Sequence, residues 1–260
     1  MEYHRYGGDP FENPDAVGRI SYYGITGYPN ARIDGRREVS GGGSGTFNAY
    51  LNAYYMEMMF NPSPCSLNIF VDYDSTTRLL KIKARVTAVD PFLSPRLRYA
   101  IAENHIYYPW SGGLDSVHHV ARKMLPNYNG VAFNINPGES FVDSQTYTLP
   151  SASPPNCCND KNSYVVVFVQ RDDLPSKDVL RSAQSGLFPT WVFGDANGNG
   201  TMDIADVVYV INYLFLNGLL PAPPASGDAN YDCIVDIADV VYMLNYLFGD
   251  GDEPLKGCAW

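Results

Sequence analysis

Long apolar runs, basic residues and paired cysteine motifs are all scarce in this chain. No stretch approaches the roughly eighteen consecutive apolar residues of a membrane-spanning helix, which argues against a membrane span. The first ten residues (MEYHRYGGDP) lack the basic-then-apolar pattern of a signal peptide. Only 18 of 260 residues are Lys or Arg, and the formal charge of -10 excludes a strongly electrostatic nucleic-acid binder. None of the five cysteines forms a Cys-x-x-Cys pair and no Cys/His cluster has zinc spacing, so neither a zinc site nor an in-chain redox motif is expected. There is no phosphate-binding loop, Ser-His-Asp constellation or glycosidase-like carboxylate pair. Glu103 and His105 would share a strand face, but no nucleophile accompanies them.

The acidic residues are unevenly placed. Residues 1–190 hold 18 acidic against 17 basic side chains, whereas 191–260 holds 10 acidic residues against the single Lys256. Such a cluster repels itself in a folded domain unless a cation neutralises it, which points to a metal-bound C-terminal end. The 20 tyrosines, with abundant Gly and Pro, suit a secreted β-rich protein in an oxidising compartment.

Three domains are expected: 1–61, 62–190 and 191–260. In the first, Phe47–Phe60 (FNAYLNAYYMEMMF) places Phe47, Leu51, Tyr54, Tyr55, Met58 and Met59 at helical spacing, as in a helix packed on a core. In the second the period changes to two. Leu67–Tyr73, Leu80–Val86, Leu97–Glu103, Val117–Leu125, Val131–Ile135, Phe141–Leu149 and Tyr164–Gln170 give about seven half-buried strands, which fit a β-sandwich. Arg96, Arg98, Arg122 and Lys123 would lie on solvated strand faces, and Ser176–Gln184 could close the domain as a short helix.

The third domain is a repeat. GDANGNGTMDIADVVYVINYLF (Gly194–Phe215) and GDANYDCIVDIADVVYMLNYLF (Gly227–Phe248) match at most positions. Asp195, Asn197, Asn199, Asp203 and Asp206 fall at loop positions 1, 3, 5, 9 and 12, as do Asp228, Asn230, Asp232, Asp236 and Asp239. This is the oxygen-ligand spacing of a calcium loop, with Thr201 and Ile234 contributing backbone carbonyls from position 7. Two calcium ions are expected. Met202 and Val235, at position 8, would pack inward, and each loop leads directly into an amphipathic helix. This loop-helix duplication resembles the type I dockerin, a small all-α calcium-binding module that docks proteins onto cohesin domains. The resemblance implies that partner selectivity lies at Ile204, Ala205, Ile211 and Asn212, and at Ile237, Ala238, Leu244 and Asn245. They are more apolar than the hydroxyl pair of many dockerins, which allows an unrelated partner. Asn199-Gly200-Thr201 is formally a glycosylation sequon, but Asn199 is expected to ligate metal instead.

Cys233 takes loop position 6, where a glycine with positive φ is expected; a β-carbon there costs about 1–2 kcal/mol, so the second loop should be weaker. Either a disulfide from Cys233 to Cys258 offsets that strain or a buried thiol sits there. Cys65 is expected to pair with Cys157 or Cys158, tying the first sandwich strand to the loop before the last.

RISYYGITGYPNARIDG (Arg19–Gly35) resembles the second half of a thioredoxin fold, which implies that Pro29 is a cis-proline. VHHVARKMLPNYNG (Val117–Gly130) and YVVVFVQRDDLPSKDVLRSAQ (Tyr164–Gln184) extend the likeness to secreted bacterial outer-membrane proteins in which a thioredoxin-like domain precedes an immunoglobulin-like sandwich. That family's redox pair would lie upstream of Met1. The expected fold is therefore multidomain and mainly β: a partial thioredoxin-like α/β segment, an immunoglobulin-like sandwich and a dockerin. The expected function is a non-catalytic extracellular scaffold or adhesion protein, secreted or at the cell surface. Its partner would be cohesin-like or another copy of the chain, the latter giving a homo-oligomer or filament. The alternative is a fragment or subunit of a thiol-disulfide enzyme whose redox cysteines lie outside this chain.

Overall fold

The computed structural model describes residues 1–5, 7–109, 115–151, 158–173, 177–188 and 191–259. The fold is mainly β with four α-helices, in two compact units, Met1–Phe188 and Pro189–Trp260.

The first unit opens with α1 (Pro14–Tyr23), capped by the Asn13 side chain, which accepts from Ala16 N, and ended by Gly24 at φ 67°. The hairpin β1 (Asn30–Ile33) and β2 (Arg37–Ser40) follows, then α2 (Thr46–Phe60). The Tyr28–Pro29 bond is cis. Next come β3 (Cys65–Asp74), β4 (Leu79–Ala88), β5 (Pro95–Glu103), β6 (Ile106–Tyr107), β7 (Ser116–Val117), β8 (Val120–Leu125), β9 (Val131–Ala132), β10 (Ser140–Thr148), β11 (Ser163–Arg171) and β12 (Val179–Gly186). One sheet has the order β10-β4-β3; the other has β12-β11-β5-β8, with β9 also on β5. They face each other across a core that includes Leu67, Val71, Ile82, Val86, Tyr99, Ile101, Val165 and Val167. The alternation read from the sequence is this inward-facing row.

The residues before 62 belong to the same unit because α1 packs on the outer face of the second sheet. Asp15, 6% exposed, accepts from Lys123 Nζ at 2.8 Å, Met124 N at 3.0 Å and Tyr128 N at 3.1 Å. That cover corrects the expectation of solvated arginines. Arg98 is fully buried against Asp172 (2.8 Å), and Arg122 lies 3.3 Å from the buried Glu103. Arg19 is buried beside them and donates to Gln170 Oε1 at 2.8 Å, so a polar layer fills the space between helix and sheet. His105 lies beyond the end of β5 at φ 51° and meets His118 edge-to-face.

Two further expectations are corrected. Val179–Gly186 is a strand, not a helix: β12 pairs antiparallel with β11 over most of its length, and this long-range pairing overrides a segment without clear period. The helix α2 exists, but its apolar residues do not enter a core. Phe47, Met58, Met59 and Phe60 are 69%, 63%, 73% and 62% exposed, and only Ala53 and Glu57 are buried.

Cys65 is a free thiol, so the expected disulfide to Cys157 or Cys158 is not formed. Cys65 begins β3, whereas the Cys158 carbonyl accepts from Arg78 in the turn beyond the far end of that strand. Ten residues of strand span about 30 Å, against the 4.4–6.8 Å Cα separation a disulfide requires. Cys157 lies outside the described residues. Burial raises the Cys65 thiol above its ordinary pKa, and the residue is 3% exposed. Its peptide should therefore resist alkylation in the native chain and react quantitatively after denaturation without reductant; rapid labelling of the folded protein would contradict this placement.

In the second unit, α3 (Ile204–Phe215) and α4 (Ile237–Phe248) pack together around Val207, Val210, Val240 and Met243, with Ala196 and Ala229 from the loops. Met202 and Val235 pack against the same core.

Candidate metal centre

The loops 195–206 and 228–239 have nearly the same hydrogen-bond network. Asp195 Oδ1 accepts from Asn199 N (3.0 Å) and its Oδ2 from Gly200 N (2.8 Å). The matching Asp228 Oδ1 accepts from Asp232 N (3.2 Å) and its Oδ2 from Cys233 N (3.1 Å). Asp206 accepts from Asn197 N (3.0 Å) and Asp203 N (2.8 Å); Asp239 accepts from Asn230 N (3.2 Å) and Asp236 N (2.8 Å), and also from Ala229 N (2.8 Å). Asn197 Oδ1 accepts from Asn199 N, and Asn230 Oδ1 from Asp232 N, both at 2.9 Å. At position 7, Thr201 N donates to Asn199 Oδ1 and Ile234 N to Asp232 Oδ1, again at 2.9 Å. Asp203 and Asp236 cap α3 and α4, each in a reciprocal box with the aspartate three residues on. The backbone donors thus hold each carboxylate in one orientation, while among the described residues no three carboxylates of either loop bring oxygens within 4.8 Å of one another.

The electrostatics are lopsided. Asp195 is 4% exposed, and Asp206, Asp228 and Asp239 are fully buried. Among the described residues, the ion pairs of Lys and Arg side chains include none of them. Burial raises the carboxyl of Asp206 and pushes that of Asp239 up to about 6, with repulsion from Asp195 and Asp228 adding to each. Buried carboxylates are ordinarily paired or metal-bound. The donor set is all oxygen and spaced for six or more ligands, so it fits calcium better than a transition metal. Asp228, Cys233 and Cys258 also bring ligand atoms within 4.8 Å of one another, but the two sulfurs are bonded together and are not thiolates.

Sequence reasoning missed one contribution. Cys258 N (2.7 Å) and Ala259 N (2.9 Å) also donate to Asp228 Oδ2, so the C-terminal segment reaches the second loop. The only hint was the presence of Cys258.

The positions expected to select a partner divide. Ile204 and Ile237 are 49% and 52% exposed, Leu244 is 36% exposed, and Ala205, Ala238 and Asn245 are also exposed. Ile211 is half-buried against the core between the helices, so it offers less surface than its counterpart Leu244. Asn212 is half-buried; its carbonyl accepts from Leu216 N and Gly218 N, as that of Asn245 accepts from Gly249 N and Gly251 N.

In the first unit, Pro29 lines a cavity of about 740 Å³ between α1, β1 and residues 1–4. Arg19, Tyr23, Arg32 and Phe168 contribute to its wall, and no cysteine does among the described residues.

No protein-family model matches the chain, and no curated protein does. Among solved structures, it is similar to HBP35 of Porphyromonas gingivalis, at a TM-score of 0.55 and 16% identity over 68% of this chain and 59% of that one. The chain thus spans less than two thirds of that protein, and the likeness is one of fold alone. A domain of the outer membrane lipoprotein Omp28 from Porphyromonas gingivalis aligns at a TM-score of 0.37 and 15% identity, over 49% of this chain and 98% of that one. No helix among the described residues is long and apolar enough to cross a membrane.

Proposed function

We propose that the chain is a non-catalytic extracellular scaffold or adhesion protein, secreted or at the cell surface, whose C-terminal unit is a type I dockerin binding two calcium ions and a protein partner. The observation that carries this is the duplicated loop network: two near-identical sets of backbone donors orient four buried aspartates in a segment, 191–260, that holds ten acidic residues and one lysine. The first unit is a sandwich, which we take as immunoglobulin-like, preceded by a partial thioredoxin-like segment. The cavity beside Pro29 has no cysteine in its described wall, which favours shape over thiol chemistry.

Calorimetric titration of the full chain should give two calcium ions, with Asp206→Ala and Asp239→Ala each removing one. A stoichiometry of zero would end the dockerin assignment. The exposed Ile204 and Ile237, one near the start of each helix, form the docking face for a cohesin-like partner or a second copy of the chain. Replacing both by Glu should weaken capture of a cohesin-like domain at least tenfold while leaving calcium stoichiometry at two. Undiminished capture would move the interface elsewhere.

A further inference from the structure

We propose that the segment Pro254–Ala259 is a working part of the second calcium loop and that the Cys233–Cys258 disulfide sets that loop's calcium affinity. This rests on the calcium assignment above and adds to it a control that the first loop lacks.

The two loops differ at three connected points. At positions 4 and 6 the first loop has Gly198 and Gly200, at φ 73° and 91°, whereas the second has Tyr231 and Cys233 at φ 65° and 69°. The left-handed region favours glycine, so the second loop holds its turn against the preference of two side-chain-bearing residues. Secondly, Cys233 is bonded to Cys258, 25 residues on. Thirdly, the first-position aspartate of the second loop has donors from outside the loop. Asp195 takes its N–H groups from Asn199 and Gly200, while Asp228 Oδ2 takes Cys258 N and Ala259 N in addition to Cys233 N.

The segment lies directly against the loop. Leu255 N donates to Ala229 O at 2.9 Å. A Cβ on Gly257 would come within 2.0 Å of Ala225 O and 2.5 Å of Asp228 O, so the segment can run this close only as glycine. Donors on Oδ2 hold the Asp228 carboxylate in place and leave Oδ1, with its single donor, Asp232 N at 3.2 Å, turned to the loop. The disulfide thus fastens an otherwise strained loop and orients its first ligand through the same segment.

Reduction would undo both. The sulfur of exposed Cys233 is the accessible point of attack, since Cys258 is 5% exposed. A dithiol reductant's thiolate bonds to Cys233 Sγ and the S–S bond breaks with Cys258 leaving as thiolate. The reductant's second thiol then displaces Cys233 and closes its own disulfide. Two electrons and two protons pass to the pair, leaving two thiols. Asp228 then loses the tether that keeps two of its donors in place, and the loop loses its fastening. By linkage, calcium at this site must protect the disulfide by the factor through which the disulfide strengthens calcium binding.

The test uses the full chain, with calcium as the only ligand. Calorimetric titration of oxidised and dithiothreitol-reduced protein should show an unchanged first site and a second site weakened at least tenfold. Asp206→Ala, which leaves only the second loop, assigns the sites. Ala259→Pro removes one donor to Asp228 and keeps the disulfide, so it should weaken the second site severalfold in oxidised protein and covers the case in which the reduced unit fails to fold. Excess calcium should also shift the equilibrium of the disulfide with dithiothreitol toward the oxidised form at least tenfold. Two sites unaffected by reduction and by Ala259→Pro would overturn the proposal and leave the calcium assignment standing, as would equal weakening of both sites in a reduced unit that stays folded. No calcium binding by oxidised protein would instead remove the assignment on which it rests.

Discussion

Chelation of calcium is expected to unfold Pro189–Trp260 while Met1–Phe188 stays folded. The unit is small, and its core is little more than the seam between α3 and α4. Its ten acidic side chains face one lysine, and the four most buried carboxylates point into the two loops. A ligand at a thousand times its dissociation constant stabilises the native state by about 4 kcal/mol per site, so two calcium sites contribute about 8 kcal/mol. Whole domains are stable by roughly 5–15 kcal/mol, so little should remain without the metal. The carboxylates that repel in its absence reduce the remainder further. Since α3 and α4 hold about half of the described α-helical residues, ellipticity at 222 nm should lose a comparable share of its helical signal in chelator. Calorimetry should resolve two transitions in calcium, only one of them calcium-dependent. An unchanged far-ultraviolet spectrum in chelator would show that the unit folds without its ions. A smaller effect should follow at Tyr231, whose φ of 65° favours glycine: Tyr231→Gly should raise the midpoint of the calcium-dependent transition by a few degrees, reflecting about 1 kcal/mol.

Where one residue pattern determines one environment, the sequence was sufficient. The repeat placed both loop-helix units, because Asp203 and Asp236 each cap the helix that follows. The period of two in Leu80–Val86 placed β4, because one face of that strand meets the core. The readings that failed depended on a partner distant in sequence. Arg98 alternates as a solvent-facing residue should, yet α1 lies over that face, and Asp172 and the Tyr128 carbonyl make its burial tolerable. Ser176–Gln184 has no decisive period, and the state of Val179–Gln184 is set by β11. The Cys65 pairing failed because sequence separation says nothing about which end of a strand a loop returns to. The C-terminal donors to Asp228 were hidden for a similar reason: a backbone N–H leaves no trace in composition.

The helix α2 shows the same lesson through an expected result: Glu57→Ala should release the helix, whereas Met59→Ala should leave it in place. An apolar period over Phe47–Phe60 suggests attachment by burial, but Met59 is 73% exposed and Glu57 is 4% exposed. Glu57 lies 2.6 Å from Arg37 Nε and 3.7 Å from Arg36 Nη1, on the hairpin, and accepts from Asn61 Nδ2 at 2.8 Å. Arg36 reaches on to Asp178 at 3.1 Å, so one carboxylate links helix, hairpin and sandwich edge. Removing one partner of a buried ion pair costs about 3–5 kcal/mol, and the partial exposure of both arginines lowers that to about 2–4 kcal/mol here. A 15-residue helix is marginal by itself in water, and no side chain caps the start of α2. Loss of Glu57 should therefore uncouple the whole helix rather than loosen one contact. Hydrogen exchange of the Thr46–Phe60 amides should speed up by at least tenfold in Glu57→Ala, with the sandwich amides unchanged. Met59→Ala should shift stability by under about 0.5 kcal/mol, as for an exposed side chain. The reverse order would mean that α2 is held by its apolar face, covered in solution by another chain.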